Sequence, residues 1–254
     1  MLHLSILVFP FISLLIPCYN ESSRCHLLIE GITQFQREWK GPFEVVVVND
    51  GSSDNTLKIL QDWKVRCGPS RQIQMITQQN TGKGGAIQRG IPYCKGDFIL
   101  TLDADMSTSP EELNRWWVLY AGFKQDEILI GSRELKESII REFPLRKWIG
   151  NWFNRIIRWI TGLQFKDTQC GFKLYPNKLA QEIFTQLKTM GWAHDVEVLC
   201  RAKKMQMKVK EMPLHWQAVE GSKVVVWKDS FRMFKEVLQI QHMMKKENNS
   251  NSPK

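Results

Sequence analysis

The chain's 254 residues, 43% hydrophobic and 24% charged, describe a globular protein able to bury a full core as one large α/β domain or two small ones. Lys and Arg number 35 against 26 Asp and Glu, a formal net charge of +9, which suits an anionic partner: nucleic acid, nucleotide phosphates or an acidic membrane surface. Six scattered cysteines without a CxxC pair exclude a cysteine metal centre and read as reduced, mostly buried thiols in a reducing compartment.

In chain order, Leu2 to Ile16 is nearly all apolar, but it lacks the basic flank and small-residue cleavage site of a signal peptide and is too short to span a bilayer. Its second part runs into PCYNE as a buried first strand, Ile12–Ile16. Leu2–Phe9 reads as an extra strand, a membrane-touching segment or the stub of a longer anchor. Further strands are expected at Glu44–Asn49, Gln74–Thr77, Phe98–Leu102 and Ile128–Ile130. Helices are expected at Ser22–Trp39, Thr56–Lys64, Lys83–Tyr93 and Pro110–Gly122. Short continuous strands such as VVVV, separated by helices, imply βαβ units and a mostly parallel sheet, whose ligands bind beyond the carboxyl ends of the strands. PCYNE, NDGSSD, QNTGKGG and DADMS follow four successive strands, and packing alone does not explain four such polar ends.

The second half is different. Residues 141–162 form one amphipathic stretch: Trp148, Ile149, Trp152, Phe153, Ile156, Ile157 and Ile160 recur at helical spacing, with Arg146, Lys147, Asn151, Asn154, Arg155 and Arg158 on the other side. It suits either a domain-packing helix or one lying against acidic headgroups. No nucleic-acid-binding motif is present. A helix Asp195–Lys204, a strand near Lys208–Pro213 and an amphipathic helix from about Lys228 to Lys246 follow. Without repeats or a long linker, the chain reads as one domain over 1–246, with a donor-binding half at about 11–135, an acceptor half at about 136–246 and a disordered tail at 247–254.

Three motifs carry chemistry. In DADMS, Asp103 and Asp105 sit two residues apart at a strand end, where both can approach one hard divalent cation while substrate phosphates complete its shell. In NDGSSDNT, Asp50 is placed to accept hydrogen bonds from a base or ribose, and Ser53 or Asp54 to cap the next helix. NTGKGGAIQRG puts glycines and Lys83 at a helix start, a setting that favours phosphate although the P-loop spacing is absent. His194 and His215 read as ordinary histidines, and no nucleophile–His–acid arrangement stands out.

IPCYNES, VVVVNDGSSDNT, NTGKGGAIQRG, LTLDADMSTSP and GSRE, in this order, resemble the inverting family 2 glycosyltransferases of GT-A fold. DTQCGFKLY, GWAHDVEVL and PLHWQAVEGSKV resemble their dolichyl-phosphate β-glucosyltransferase and polyprenyl-phosphate branch, over about residues 12–240. The resemblance implies a Rossmann-like α/β sheet flanked by helices, with a membrane-facing acceptor region. It implies that Pro17, Tyr19 and Glu21 line the nucleotide pocket, that Asp50 reads the base and that Lys83 lies near the nucleotide. Asp103 would contact the nucleotide-sugar and Asp105 the metal, Mg²⁺ or Mn²⁺. Arg133, with Arg141 or Arg146, would approach the acceptor phosphate, and Asp167 and Asp195 would face the acceptor side. Ser107 stands where the mannosyltransferase branch has glutamine, leaving metal ligation to the aspartates and water. The implied reaction moves glucose from UDP-glucose to a dolichyl or polyprenyl phosphate, on the cytosolic face of a membrane and without nucleic acid. A soluble glycan acceptor and a silent nucleotide-sugar scaffold are the alternatives.

Overall fold

The computed structural model describes residues 8–68, 72–141, 144–219 and 226–250. The first half follows the expected alternation. β1 (Ile12–Cys18), α1 (Cys25–Glu38), β2 (Phe43–Asp50), α2 (Thr56–Cys67), β3 (Ile73–Gln78), α3 (Lys83–Gly90), β4 (Phe98–Thr101), α4 (Glu112–Leu119) and β5 (Glu127–Gly131) come in turn. Then follow β6 (Ile139–Arg141), α5 (Pro144–Thr161), β7 (Lys173–Pro176), α6 (Asn177–Thr185), α7 (His194–Lys204), β8 (Lys208–Met212), β9 (His215–Gln217) and α8 (Val226–Ser250). The seven-stranded sheet has the order β3-β2-β1-β4-β7-β5-β8. β7 alone runs antiparallel, against both β4 and β5. The chain moves outward from β1 through β2 to β3 and returns to β4 on the other side of β1. This creates a topological switch point between β1 and β4, where such sheets leave a crevice.

The unbroken VVVV of β2 is explained by burial on both faces. Val45 and Val47 join the core under α1, α2 and α4, while Val46 and Val48 join the core under α3, α6 and α7. α1 contributes Cys25, Leu28, Ile32 and Phe35 at helical spacing. Phe9 packs on Trp39 and Trp117 with ring centroids 5.0 and 5.1 Å away, so the end of the Leu2–Phe9 stretch belongs to this core. Residues 2–7 of that stretch lie outside the described residues. None of the six cysteines forms a disulfide with another.

Two expectations are corrected. α8 continues through Ser250, and Glu247, assigned to a disordered tail, makes ion pairs with Lys204 at 2.8 Å and Lys188 at 3.2 Å. These contacts tie the helix end to α7 and to the segment before it. In α5 the predicted apolar face is divided. Ile157 and Ile160 are buried in the same core as Val237 and Ile240 of α8, whereas Trp152 of that face is 59% exposed, and Trp159, which was not assigned to it, is 86% exposed. Asn154, placed on the polar side from sequence, turns inward: its Oδ1 accepts from Thr168 at 2.8 Å, and its amide donates to the Lys166 carbonyl. The helix therefore docks on its Asn154–Ile157–Ile160 side, which leaves two tryptophans and Arg155 outward. Among the described residues, no helix is long and apolar enough to cross a membrane.

Candidate active site

The polar loops predicted at the strand ends do meet at the C-terminal edge of the sheet. Beyond β4 the chain turns sharply. Met106 has φ +55° and donates to the Asp103 carbonyl at 3.1 Å, and Ser107 N–H donates to Asp105 Oδ1 at 3.0 Å. The two carboxylates thus project from one tight turn on either side of buried Ala104. Lys83, the first residue of α3, places Nζ 2.5 Å from Asp103 Oδ1. Burial opposes the Lys83 charge, but Asp103, Asp195 and Asp105 outweigh it and raise its pKa above the ordinary lysine value. The amine is a fixed cation at neutral pH.

Gly171 closes this corner. A Cβ added there would lie 2.6 Å from Asp103 Oδ2 and 3.0 Å from Lys83 Nζ. Gly171→Ala is therefore expected to push Asp103 off Lys83. Donor affinity and turnover should fall about tenfold or more, measured as kcat/KM, with a smaller change in Tm.

Asp50, at the end of β2, is buried and braces the glycine loop. Its Oδ1 accepts from Gln78 Nε2 at 2.7 Å and Thr81 N–H at 2.9 Å, and its Oδ2 accepts from Gly82 N–H at 2.9 Å. Gly82 has φ +97° and lies against the Met190 carbonyl, where a Cβ would come within 2.6 Å; only glycine meets both demands. The β1 loop is stitched to the β2 loop. Asn20 N–H donates to Ser52 Oγ at 2.9 Å, Asn20 Oδ1 accepts from Ser53 N–H at 2.7 Å, and Glu21 N–H donates to Thr56 Oγ1 at 2.6 Å. Pro17, the next-to-last residue of β1, is half-buried, and Tyr19, just past the strand, is exposed.

The other wall comes from the second half. Asp195, on α7, forms an ion pair with the fully buried Lys173 of β7, whose ammonium also donates to the Cys170 carbonyl. Burial works against the Asp195 carboxylate, yet His194, Lys173 and Lys83 hold it well below the usual range. For His194, burial comes first and, with Lys83 and Lys173, prevails over Asp195, so its pKa is lowered and the ring is neutral at pH 7. Arg133 follows β5. Its Nε and Nη2 donate to the two oxygens of Asp167 at 2.7 and 3.1 Å, a bidentate pair that fixes the guanidinium plane 5.8 Å from the Trp216 ring centroid. Burial opposes ionisation of Asp167, and Arg133 together with the Arg133 and Gln169 N–H groups lowers its pKa. β6 and β9 form a separate ribbon in which Arg141 sits opposite Gln217, and Gln217 N–H donates to the Ser107 carbonyl at 2.8 Å. The ribbon and exposed Arg141 are thereby tied to the DADMS turn.

The sequence profile described as "Glycosyl transferase family 2" matches residues 13–184, from the second residue of β1 through β7 and into α6. The chain belongs to glycosyltransferase family 2. This glycosyltransferase is 31% identical over 241 residues to the dolichyl-phosphate β-glucosyltransferase of Dictyostelium discoideum, covering 91% of this chain and 73% of that protein. It is 33% identical over 249 residues to the Saccharomyces cerevisiae enzyme of the same name, covering 91% and 74%. Among solved structures, glucosyl-3-phosphoglycerate synthase from Mycobacterium tuberculosis with Mn²⁺, UDP-glucose and phosphoglyceric acid superimposes with TM-score 0.66 at 14% identity, covering 92% of this chain and 80% of that one. The same enzyme with Mg²⁺ and UDP gives TM-score 0.66. At such identity the likeness speaks for the fold, which is the GT-A α/β architecture.

In the glycosyltransferase, Lys83, Asp103, Asp105 and Asp195 converge, while Arg133 and Asp167 pair with each other and Arg141 is exposed on the β6–β9 ribbon. Arg146 lies in α5, and its side chain is outside the described residues, as is the EGSK segment, 220–223. Glu21 does not project into the crevice alone: it clamps Arg24 through Nε at 2.7 Å and Nη2 at 2.8 Å. Arg24, Lys173 and Gly171 were not anticipated as site residues. A lysine inside the motif DTQCGFKLY was the only available sign for Lys173, and Arg24 carried none. No cluster of three or more His, Cys, Asp or Glu side chains suited to a metal occurs among the described residues. The donor set fits a divalent cation all the same: two carboxylates on one turn, 42% and 26% exposed, supply oxygen ligands and leave the remaining positions to substrate phosphate and water.

Proposed function

We propose that this enzyme is an inverting, metal-dependent glucosyltransferase that moves glucose from UDP-glucose to a dolichyl or polyprenyl phosphate at the cytosolic face of a membrane. The observation that carries this reading is the reach of the similarity. Relatives named for that acceptor match over 91% of the chain, so through the half that contributes Lys173, Asp195 and Arg133 as well as the donor half. Residues 1–246 then act as one domain, donor half before acceptor half.

On this reading Pro17 and Tyr19 line the nucleotide pocket. Asp50 reads the base and also holds the glycine loop that presents Lys83. Asp103 and Asp105 hold Mg²⁺ or Mn²⁺, which when bound offsets the charge that develops on the departing diphosphate. A lipid phosphate oxygen attacks the anomeric carbon from the face opposite the diphosphate, the bond from that carbon to the diphosphate oxygen breaks, and its electron pair leaves with UDP. Configuration inverts. The attacking oxygen is already ionised near neutral pH, so the site needs no strong base, and none is offered: Asp195 is committed to Lys173 and has a depressed pKa. The work falls on position and charge. Arg133, held in plane by Asp167, and Arg141 or Arg146 orient the acceptor phosphate. Trp152, Trp159 and Arg155, outward on α5, suit an interface of acidic headgroups.

The test is a transfer assay offering UDP-glucose, UDP-GlcNAc and GDP-mannose to a short polyprenyl phosphate with Mg²⁺ or Mn²⁺. Glucose should appear on the lipid. The protein should also float with liposomes containing acidic lipid, and Trp152→Ser/Trp159→Ser should float about tenfold less without losing transfer to a detergent-dispersed acceptor. Activity on a soluble sugar without flotation would point to a glycan acceptor. Donor hydrolysis without transfer would point to the scaffold reading.

A further inference from the structure

The two aspartates of the DADMS turn do not stand alone: each faces a basic side chain. Lys83 lies 2.5 Å from Asp103, and Arg24 Nη1 lies 3.9 Å from Asp105 Oδ2. Arg24 is 8% exposed, and its head group is held rigidly because Glu21 takes Nε and Nη2 in a bidentate clamp. The third nitrogen, Nη1, is buried without a hydrogen-bond partner among the described residues. A buried guanidinium N–H left unpaired is costly, so its direction calls for a reason. It points at the carboxylate expected to hold the cation, and Asp105 has no other partner on Oδ2 among the bonds to described residues, its Oδ1 taking the Ser107 N–H.

We infer that Arg24 is a positioning residue for Asp105, a fixed charge that weakens cation binding until the nucleotide diphosphate arrives. With Lys83 on one aspartate and Arg24 beside the other, a dication entering alone meets carboxylates whose charge is already opposed. A dication arriving with a diphosphate brings its own anion, and Arg24 and Lys83 then favour the pair. Cation and donor bind together, and the enzyme holds little metal between turnovers. Glu21 is necessary to this arrangement because it fixes the guanidinium so that Nη1 cannot swing onto Asp105 and close the site. The inference rests on the metal-dependent reading proposed above.

The experiment is Mn²⁺ binding to the intact protein, followed by electron paramagnetic resonance with and without UDP. Wild type should bind Mn²⁺ weakly alone and strongly with UDP. Arg24→Gln should tighten Mn²⁺ binding without UDP about tenfold and shrink the gain from UDP. Arg24→Lys keeps the charge but not the bidentate clamp, so it should bind Mn²⁺ alone no more tightly than wild type. Glu21→Gln/Arg24→Gln removes the carboxylate that Arg24→Gln would expose; it should retain the tightening. Unchanged Mn²⁺ affinity in Arg24→Gln, with normal UDP-dependent binding in wild type, overturns the role of Arg24 alone. Tightening that vanishes in the double variant also overturns it, because Glu21 would then be the new ligand. Wild type that binds no Mn²⁺ even with UDP overturns both this inference and the metal-dependent reading.

Discussion

Asp105→Asn is expected to lower kcat/KM for sugar transfer about a thousandfold while leaving the fold intact. The side chain is only partly buried; an asparagine carbonyl also accepts from Ser107 N–H, and Arg24, 3.9 Å away, keeps its bidentate clamp on Glu21. The substitution therefore removes the charge that faces Arg24 and leaves these hydrogen bonds in place. Asp103→Asn is a less clean probe, because it also strips Lys83 of its partner at 2.5 Å. If transition-state stabilisation comes from a cation held on this turn, the loss should appear in transfer and in Mn²⁺ retention with UDP, with Tm and far-ultraviolet circular dichroism unchanged. Full transfer by the variant would remove Asp105 from the metal site.

The second large effect is expected inside the wall of the site. Lys173→Met should destabilise the protein by about 3–5 kcal/mol, the usual consequence of leaving one partner of a buried ion pair uncompensated. Lys173 is fully buried and Asp195 nearly so, and neutral His194 does not replace the lost charge. Lys173→Met/Asp195→Asn should recover much of the stability, because no charge is then left buried without its partner. Chemical denaturation separates the two variants. A pH dependence follows from the same groups. Asp195 and Asp167 release protons more readily in the folded protein than in the unfolded chain: burial opposes this, but His194, Lys173 and Lys83 prevail at Asp195, and Arg133 at Asp167. Their stabilisation is therefore complete above the ordinary carboxylate pKa of about 4 and drains away as pH falls below it. Wild-type stability should drop between about pH 4 and pH 2, and the Asp195 share of that drop should be missing in Lys173→Met/Asp195→Asn.

Most strands of the first half were legible because they are short apolar runs buried on both faces, so hydrophobicity marks them without help from their neighbours; β3, IQMITQ, is the half-buried exception. β2 and β4 are the plain cases. β7 was not legible. It is four residues, KLYP, with a lysine and a proline, and it runs against its neighbours; what makes it a central strand is pairing with β4 and β5, a non-local fact. α5 shows the same limit from the other side. Its apolar residues were visible, but which of them face the body depends on where α8 and the Thr168 hydroxyl sit, and that choice turned Trp152 and Trp159 outward. The ion pairs were hidden for a related reason. Arg24 lies far in sequence from Asp105, and Lys173 far from Asp195, and no local pattern reports a charge that becomes buried only when segments from separate elements close together.

Asp103 and Asp105 are where the two kinds of information divide. Local chemistry by itself determined that a turn after an apolar strand carries two carboxylates at metal-binding spacing, within a parallel sheet whose crevice opens at that edge. Pattern suffices for this because strand burial and loop polarity are properties of neighbouring residues. Only the tertiary structure decided the electrostatic state of those carboxylates: Lys83 on one, Arg24 beside the other, Asp195 behind Lys83 and committed to Lys173. Charge interactions depend on distance and on exclusion of water, and both are set by packing between segments that the linear order keeps apart.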